Sequence, residues 1–321
     1  MKVLDYIRSN ITYLDGGMGT MLQASGLPAG ELPERLNISS PDLIRDIHRA
    51  YFDAGSNIVC TNTFGANPLK FSPDELEKII SAAVQNVRLA SESSASDSEK
   101  FAALDIGPLG KLLKPYGDLD FEEAVQAFST VVRLGAKHGA DLIFIETMND
   151  SYETKAALLA AKESCSLPVF VSNAYGEDGK LMTGASPEAM IAMLEGMGAD
   201  AIGVNCSFGP DKLEATVRKY IERASVPVLL KPNAGLPRSE RGRTVYDITP
   251  NDFAEKVAEL VRDGVSLAGG CCGTTPEHIK AVVQKTKEIK SHNIGKKIYA
   301  AFLHILMQWI SVLPPYLLAS A

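Results

Sequence analysis

The chain has 321 residues, of which 45% are hydrophobic, and a formal net charge of −7. This length and apolar content allow one large folded domain or two ordinary ones and exclude a disordered chain. The acidic balance, without a long basic run, argues against a nucleic-acid-binding surface, because such surfaces need clustered lysine and arginine. The expected partners are therefore small molecules or proteins.

The cysteine count and the N-terminal segment bear on location. Five cysteines are too few and too irregularly spaced for a disulfide framework, so we expect reduced thiols and a cytoplasmic location. The N-terminal segment carries Asp5 and Arg8 among its apolar positions, so it lacks the uninterrupted apolar stretch of a signal peptide. Residues 3–9 are predicted to form a short leading helix.

Short apolar runs alternate with longer helical patterns along the chain, which is typical of parallel strands joined by helices. The sequence predicts eight strands, at residues 12–15, 58–63, 101–106, 142–146, 169–173, 201–205, 228–231 and 266–269. Five helix starts place a hydroxyl side chain before a proline and an acidic residue, and these predicted N-caps are Ser40, Ser72, Ser186, Thr249 and Thr275.

Eight strand–helix units predict an α/β fold, the (β/α)8 TIM barrel, whose usual size is roughly 250 residues plus insertions. A doubly wound open sheet is the alternative, but its first turn would carry Gly-x-Gly-x-x-Gly, and the turn from Asp15 to Thr20 lacks that spacing. We expect the barrel in residues 1–290 and an additional apolar C-terminal tail of unknown role in residues 291–321. His304 and Gln308 interrupt its apolar run, which ends short of the ~20 residues of a membrane span. A membrane anchor is therefore less favoured than a helix docked on the barrel or on a partner.

Three cysteines follow predicted strands. Cys206 lies after strand six, and Cys271 and Cys272 lie between glycines after the last strand. The carboxyl ends of barrel strands meet at one mouth, where three thiolates suit zinc and leave one position for water or substrate. Adjacent residues on extended backbone point to opposite sides, so we expect a kink at Cys271 and Cys272, permitted by the flanking glycines. The alternative is three buried small side chains, which is common for free cysteine.

The ligand type limits the chemistry. None of the histidines lies at a predicted strand end, so all are expected to be structural or solvent-facing; they are His48, His138, His278, His292 and His304. Three thiolates weaken the Lewis acidity of zinc but leave it able to bind another soft sulfur. A substrate thiol held there would be deprotonated near neutral pH and remain nucleophilic. The sequence therefore predicts a site that activates a thiol.

A thiol substrate with an amino-acid head needs further partners. Glu146, at the end of strand four, is a candidate for its ammonium group, or else a salt-bridged rim residue. Backbone amides of the turn at Asp15, Gly16 and Gly17 are candidates for its carboxylate. Asn205, like Asn173 and Asn233, lies near a strand end and is a candidate for orienting ligands or filling the open metal position.

Two further cysteines and one long loop receive structural interpretations. Cys60 and Cys165 are expected to lie outside the mouth, in the core or in a loop. Residues 235–248 follow strand seven on the catalytic face and are interpreted as a solvated loop in preference to a lid or a docking surface.

Taken together, these motifs resemble the homocysteine S-methyltransferase family, and most closely the homocysteine-binding domain of cobalamin-dependent methionine synthase. The resemblance runs from about residue 14 to about residue 283. It rests on four runs in the family's order, Asp15-Gly16-Gly17-Met18-Gly19-Thr20-Met21-Leu22, Thr61-Asn62-Thr63-Phe64-Gly65-Ala66-Asn67, Gly203-Val204-Asn205-Cys206 and Gly269-Gly270-Cys271-Cys272-Gly273-Thr274-Thr275-Pro276.

The resemblance implies methylation of homocysteine to methionine, with zinc held by Cys206, Cys271 and Cys272. It implies that Glu146 and the Asp15 turn hold the homocysteine head, and that Asn233 occupies the metal when substrate is absent.

The methyl donor implied is methylcobalamin carried by a partner module, because Arg35-Leu36-Asn37 and the run from Lys231 to Gly235 resemble the cobalamin-dependent branch. Folate- and cobalamin-binding modules are the expected partners. A stand-alone enzyme using S-methylmethionine or betaine remains an alternative, as does a non-catalytic zinc- or thiol-binding barrel acting through a partner. A barrel lyase would need a base at a strand end, for which Lys231 is the candidate.

Overall fold

The predicted strands form one parallel sheet in the computed structural model, which describes residues 2–27, 30–240 and 243–292. Its strands are β1 Thr12–Tyr13, β2 Ile58–Cys60, β3 Phe101–Ile106, β4 Leu142–Met148, β5 Val169–Asn173, β6 Ala201–Asn205, β7 Val228–Lys231 and β10 Val265–Ala268. Neighbouring strands follow the order β1-β10-β7-β6-β5-β4-β3-β2. A parallel bridge between Leu14, just after β1, and Ile58 of β2 joins the two ends of this order and closes the ring. The (β/α)8 TIM barrel is confirmed.

Helices connect the strands and form the outer shell. They are α1 Val3–Ser9, α2 Met18–Ala24, α3 Leu36–Ser39, α4 Pro41–Asp53, α5 Pro73–Ser93, α6 Phe121–Lys137, α7 Ser151–Ser164, α8 Pro187–Gly196, α9 Pro210–Arg223, α10 Pro250–Asp263 and α11 Pro276–Thr286, with a 3-10 helix at Pro33–Arg35. The leading helix α1 has the predicted bounds. A small antiparallel hairpin, β8 Arg238–Glu240 and β9 Arg243–Val245, lies between β7 and α10.

The predicted N-caps are borne out with one exception. The side chains of Ser72, Ser186 and Thr249 accept hydrogen bonds from backbone N–H groups in the first helical turn. Thr275 forms a capping box at the start of α11. Ser40 directly precedes α4, but its side chain makes no capping hydrogen bond.

Side chains alternate along each strand between the barrel interior and the helical shell. The interior holds one apolar cluster, to which β2 to β7 and β10 contribute, together with Leu14 just after β1; among its members are Phe101, Ala103, Leu142, Phe144, Phe170, Leu229 and Leu267. Val3 and Ile7 of α1 belong to the same cluster, so this helix covers the end of the barrel at which the strands begin.

The same alternation continues past the apolar cluster. Two residues after Ala103 comes Asp105, two after Phe144 comes Glu146, and two after Leu229 comes Lys231. All three charged side chains are buried. The barrel interior therefore changes from apolar to charged toward the carboxyl ends of its strands.

The described residues contain no helix with the length and apolar content needed to cross a membrane. The tail from residue 293 onward lies outside the described residues, as does His304. The boundary between residues 290 and 291 stays a prediction.

Candidate functional site

A cavity of about 280 Å³ opens at the carboxyl ends of the barrel strands. Its charged and thiol-bearing lining residues are Asp15, Glu34, Asp105, Glu146, Lys231, Cys60, Cys206, Cys271 and Cys272. Aromatic rings at its wall come from Phe64 and Tyr246. The cavity thus combines thiols with several acidic groups and one amine.

Three thiols converge at one side of this cavity. The Sγ atoms of Cys206, Cys271 and Cys272 all lie within 4.8 Å of one another, and those of Cys206 and Cys272 are 4.0 Å apart. This distance is far longer than the ~2.05 Å of a disulfide. It is close to the ~3.8 Å between two sulfurs that bind a tetrahedral zinc ion at about 2.3 Å. The structure brings together the three cysteines that the sequence singled out, and their spacing and soft donor atoms fit zinc.

A tight turn gives adjacent cysteines a common direction. The backbone N–H of Thr274 donates to the carbonyl of Cys271 at 3.1 Å, and Gly273 has a φ of 80°, in the region that favours glycine. The amide of Cys271 donates to the carbonyl of Pro232 at 2.8 Å, and that of Cys272 donates to Asn233 Oδ1 at 3.1 Å. The predicted kink is confirmed, and hydrogen bonds fix it in place.

Cys206 also sits on constrained backbone. It follows β6 directly and has a φ of 61°, and Ser207 has a φ of 63°. Non-glycine residues adopt such angles at a cost of about 1–3 kcal/mol and are enriched at functional sites. The Cys206 amide donates to the Lys231 carbonyl at 3.0 Å, which holds this conformation against β7.

The three thiols influence one another's ionisation. Contacts with Cys271 and Cys272 lower the pKa of Cys206 to about 3. Contacts with Cys206 raise the pKa of Cys271, and they raise that of Cys272 to about 11. The contacts among the three thiols therefore favour the thiolate form at Cys206 over the other two. A bound divalent cation would displace the remaining thiol protons.

Asn205 lies beneath the thiols and ties three strands together. Its Oδ1 accepts from the Thr147 amide at 2.8 Å and from Ser172 Oγ at 2.7 Å, and its Nδ2 donates to Thr147 Oγ1 at 2.6 Å. Its Nδ2 also lies 3.9 Å from Cys271 Sγ. Asn205 is fully buried and is not among the residues that line the cavity. These contacts support a positioning role for Asn205, and its predicted contact with a ligand stays a prediction.

We expect the Asn205→Ala variant to lose about 1–3 kcal/mol of unfolding free energy, because the buried Ser172 hydroxyl and the Thr147 amide would lose their acceptor. Urea denaturation followed by circular dichroism measures this loss. An Asn251→Ala variant, changed at an exposed position of α10, is the control and should stay within about 0.5 kcal/mol of the parent. Equal stability of both variants would contradict the assigned role of Asn205.

A buried ion triad forms the floor of the cavity. Lys231 Nζ lies 3.0 Å from Asp15 Oδ1 and 3.0 Å from Glu146 Oε2. The second oxygen of Asp15 accepts from the Cys60 amide at 2.7 Å. Burial opposes the charge on Lys231, but Asp15, Cys60 and Glu146 together raise the pKa of Lys231 well above its usual value. Lys231 is therefore a protonated structural cation, which removes it as the base of a lyase.

Glu146 thus has a partner within the protein. Burial raises the pKa of its carboxyl, while the neighbouring Lys231 ammonium opposes that shift. The sequence allowed two interpretations of Glu146, a contact with the substrate ammonium or a salt bridge on the rim. The structure shows the salt bridge, but Glu146 is buried in the cavity and does not lie on a rim. Its contact with substrate stays a prediction.

The glycines of the Asp15 turn allow close packing against the cysteine loop. A Cβ atom on Gly17 would lie 2.7 Å from the Cys271 carbonyl oxygen, and one on Gly16 would lie 2.7 Å from Thr274 Oγ1. The Gly17 amide donates to Thr274 Oγ1 at 3.1 Å. This amide is consequently engaged within the protein, and the predicted carboxylate contact of the turn stays a prediction for its other amides.

The remaining candidates are placed as follows. Asn233 lies beside Cys206 and Cys272. Asn173, at the end of β5, donates hydrogen bonds from Nδ2 to the Met148 carbonyl and to Thr154 Oγ1. The described histidines do not line the cavity; His48 is buried in α4, His138 ends α6, His278 lies in α11 and His292 contacts the Val261 carbonyl.

The structure corrects the expectation for one cysteine. Cys60 was predicted outside the mouth, yet it lines the cavity with its Sγ 3.6 Å from Lys231 Nζ, because it continues the inward alternation from Ile58. Cys165 does lie away from the site, at the end of α7.

The loop at residues 235–248 contains the hairpin of β8 and β9, and it brings Tyr246 to the cavity wall beside Cys272. No motif in the sequence pointed to Tyr246.

Comparison with known proteins agrees with this geometry. The model of the homocysteine S-methyltransferase family matches residues 12–286, which include the complete barrel. The chain belongs to this family. The methionine synthase of Mycobacterium tuberculosis is 32% identical over 305 residues, which are 90% of this chain and 26% of that protein. The methionine synthase of Mycobacterium leprae is 33% identical over 297 residues, which are 87% of this chain and 24% of that protein. This homocysteine S-methyltransferase family member therefore spans about a quarter of the length of those relatives.

A solved structure shows the same fold. The metallated form of the homocysteine methyltransferase MmuM from Escherichia coli superposes with a TM-score of 0.75 at 22% identity, covering 86% of this chain and 96% of that one. At this level of identity the likeness supports the barrel and carries nothing about individual site residues.

Proposed function

We propose that this chain binds homocysteine at a zinc ion held by Cys206, Cys271 and Cys272 and transfers a methyl group to its sulfur, giving methionine. The observation that carries the proposal is the cluster of three thiols within 4.8 Å at the mouth of a barrel of this family. When bound there, zinc would lower the pKa of a substrate thiol taken as its fourth ligand.

The chain's own residues prepare this cavity for the reaction. Asn205 and the turn at Cys271 fix the thiols, and the triad around Lys231 forms a charged floor beneath the substrate. The substrate sulfur forms a bond to the methyl carbon while the bond from that carbon to the donor breaks, and the thiol proton leaves to solvent. Asn233, next to two of the thiols, is proposed to fill the metal position before substrate arrives.

The donor is proposed to be methylcobalamin carried by a partner module. The motif resemblance to the cobalamin-dependent branch supports this, whereas relatives named methionine synthases support methionine as the product. Betaine is less favoured because a quaternary ammonium prefers a cage of aromatic rings, and Phe64 and Tyr246 are the aromatic side chains on the described cavity wall.

Incubating zinc-loaded protein with homocysteine and one donor at a time tests this function. We expect methionine from methylcobalamin and much less from S-methylmethionine or betaine, measured by mass spectrometry. If methionine forms chiefly from S-methylmethionine or betaine, that compound is the donor in place of methylcobalamin, and the proposed methylation of homocysteine stands. Intact zinc with no methionine from any donor would favour a non-catalytic barrel subunit.

Homocysteine binding provides a second test that does not depend on the donor. Because the thiol is expected to bind as a thiolate, binding near neutral pH should release about one proton per site. Calorimetry in buffers of different ionisation enthalpy measures this release. The absence of proton release would contradict thiolate binding.

A further inference from the structure

The loop between β7 and α10 brings an aromatic ring to the cysteine turn. In the sheet, β7 lies between β6 and β10, and the three cysteines follow the ends of those two strands. The hairpin of β8 and β9 extends from this position, and Tyr246 comes directly after β9. Tyr246 lines the cavity together with the thiols.

Backbone hydrogen bonds tie the segment that carries Tyr246 to the cysteine turn. The amide of Ile248 donates to the Ala234 carbonyl at 3.0 Å, and the amide of Ala234 donates to the Cys272 carbonyl at 2.9 Å. His278 Nε2 lies 3.1 Å from the Ile248 carbonyl and holds the segment from the side of α11. The position of Tyr246 is therefore linked to that of Cys272.

The ring of Tyr246 packs against Gly273, the residue after Cys272. A Cβ atom on Gly273 would lie 2.2 Å from the Cγ atom of the ring, closer than any side chain could be accommodated. Glycine at this position thus serves the turn, through its φ of 80°, and also makes room for the ring. With the base of its ring on Gly273, Tyr246 can reach the adjacent Cys272 with its hydroxyl.

The ionisation of Tyr246 agrees with a contact between the hydroxyl and the thiol. Burial raises the pKa of Tyr246 to about 12, and Cys272 adds to this shift through its charge and through a hydrogen bond with the phenol. A phenol that donates to a thiolate gives up its own proton less readily. The direction of the shift therefore makes Tyr246 the donor and the sulfur the acceptor.

The other two thiols have polar neighbours of the same kind. Asn205 Nδ2 lies 3.9 Å from Cys271 Sγ, and the side chain of Asn233 lies beside Cys206. Residues that do not touch a metal commonly orient its ligands by hydrogen bonds. Tyr246 gives Cys272 the corresponding neighbour, so each of the three sulfurs has a side-chain donor from outside the cluster.

We propose that Tyr246 is a positioning residue for the zinc ion, because its hydroxyl donates a hydrogen bond to Cys272 Sγ and thereby strengthens zinc binding by the three thiolates. Three thiolates carry one more negative charge than a zinc ion neutralises, and a donor beside one sulfur offsets part of this excess. The assignment rests on the zinc ion of the proposed function and adds to it a residue that touches neither the metal nor the substrate.

The zinc affinity of the Tyr246→Phe variant tests this role, since phenylalanine keeps the ring on Gly273 and removes only the hydroxyl. Competition with a chromophoric zinc chelator should give a zinc Kd about 10-fold higher than that of the parent, as is typical when an outer-shell partner is lost. In protein loaded with Co²⁺ in place of Zn²⁺, the sulfur-to-cobalt charge-transfer band should also shift, because one sulfur donates more charge to the metal.

The matched control is Tyr116→Phe, which removes the hydroxyl of a tyrosine that is 69% exposed in the loop after β3. It should keep the zinc Kd and the cobalt spectrum of the parent. A Tyr246→Ala variant separates the ring from the hydroxyl, and its zinc affinity should be at least as weak as that of Tyr246→Phe.

Three results would overturn the assignment. The first is a Tyr246→Phe variant with the zinc Kd of the parent, even if Tyr246→Ala binds zinc more weakly, because the ring alone would then support the site. The second is a weaker zinc affinity with an unchanged cobalt spectrum, which indicates a looser loop and no hydrogen bond to sulfur. The third is a parent that binds no zinc, which overturns the proposed function as well. Failure of the proposed function alone looks different, because the parent and Tyr246→Phe then differ in zinc affinity although no donor yields methionine.

Discussion

The Cys206→Ala and Cys272→Ala variants are each expected to lose the bound zinc and to form methionine at least about 100-fold more slowly than the parent. Removing one thiol leaves two protein ligands, which no longer hold zinc against competing water. Loss of outer-shell partners alone typically costs 10–100-fold in metal affinity or activity, so the loss of a ligand should cost more. Zinc content by atomic emission and methionine formation by mass spectrometry measure the two effects.

The control for this prediction is Cys165→Ala, which removes a thiol at the end of α7, away from the cavity. It should retain about one zinc ion per chain and the parent rate. Full zinc occupancy in the double variant Cys271→Ala/Cys272→Ala would contradict the site assignment.

Replacing Lys231 with methionine is expected to destabilise the fold by about 3–5 kcal/mol at neutral pH. The variant keeps the length of the side chain but leaves Asp15 and Glu146 as neighbouring buried carboxyls without their cation. Burial raises the pKa of Glu146 in the folded state. The loss of stability should therefore grow as the pH rises through that folded pKa and shrink as acidification protonates the carboxyl.

Urea denaturation at pH 5 and at pH 8 measures this difference. Lys212→Met is the matched control, because Lys212 pairs with Glu177 at 3.1 Å on the exposed surface, where ion pairs contribute about 0–1 kcal/mol. A Lys231→Met variant as stable as Lys212→Met at pH 8 would show that the triad does not support the fold.

Much of the barrel was predictable because each strand is a short buried run followed by a capped helix. The bounds of β3, β5, β6 and β7 agree with the predictions, whereas β1 and β2 end two and three residues earlier, and β4 continues through Met148. The differences lie where the chain leaves the barrel to form the cavity. There, polar contacts of individual side chains decide where the strand pairing ends.

The meeting of the three cysteines was predictable for a topological reason, since parallel barrel strands deliver their carboxyl ends to one mouth. The triad was harder, because Lys231 lies 216 residues from Asp15 and 85 from Glu146. A lysine at a strand end is usually read as exposed. Counting inward positions from Leu229 would have placed Lys231 in the interior, and the same count from Ile58 would have placed Cys60 there.

Tyr246 and Asp105 show two different limits of sequence reasoning. Tyr246 comes from a hairpin whose path over the mouth depends on packing against Gly273, where a Cβ atom would lie 2.2 Å from the tyrosine ring. Asp105 stands in a predicted strand, but the burial of its Oδ1 without a hydrogen-bond partner among the described residues depends on residues that are distant in the sequence. Neither property is encoded in local spacing.

The position of α1 bears on the order in which ligands would enter the cavity under the proposed function. Val3 and Ile7 pack against the apolar layer beneath the ion triad, so the cavity is blind at that end. Under the proposed function, both substrates and the product would then use the entrance at the carboxyl ends of the strands. The thiol bound at the cysteines would enter before the methyl donor, and methionine would leave only after the spent donor had withdrawn. Steady-state kinetics should accordingly follow an ordered sequential pattern, with homocysteine as the leading substrate.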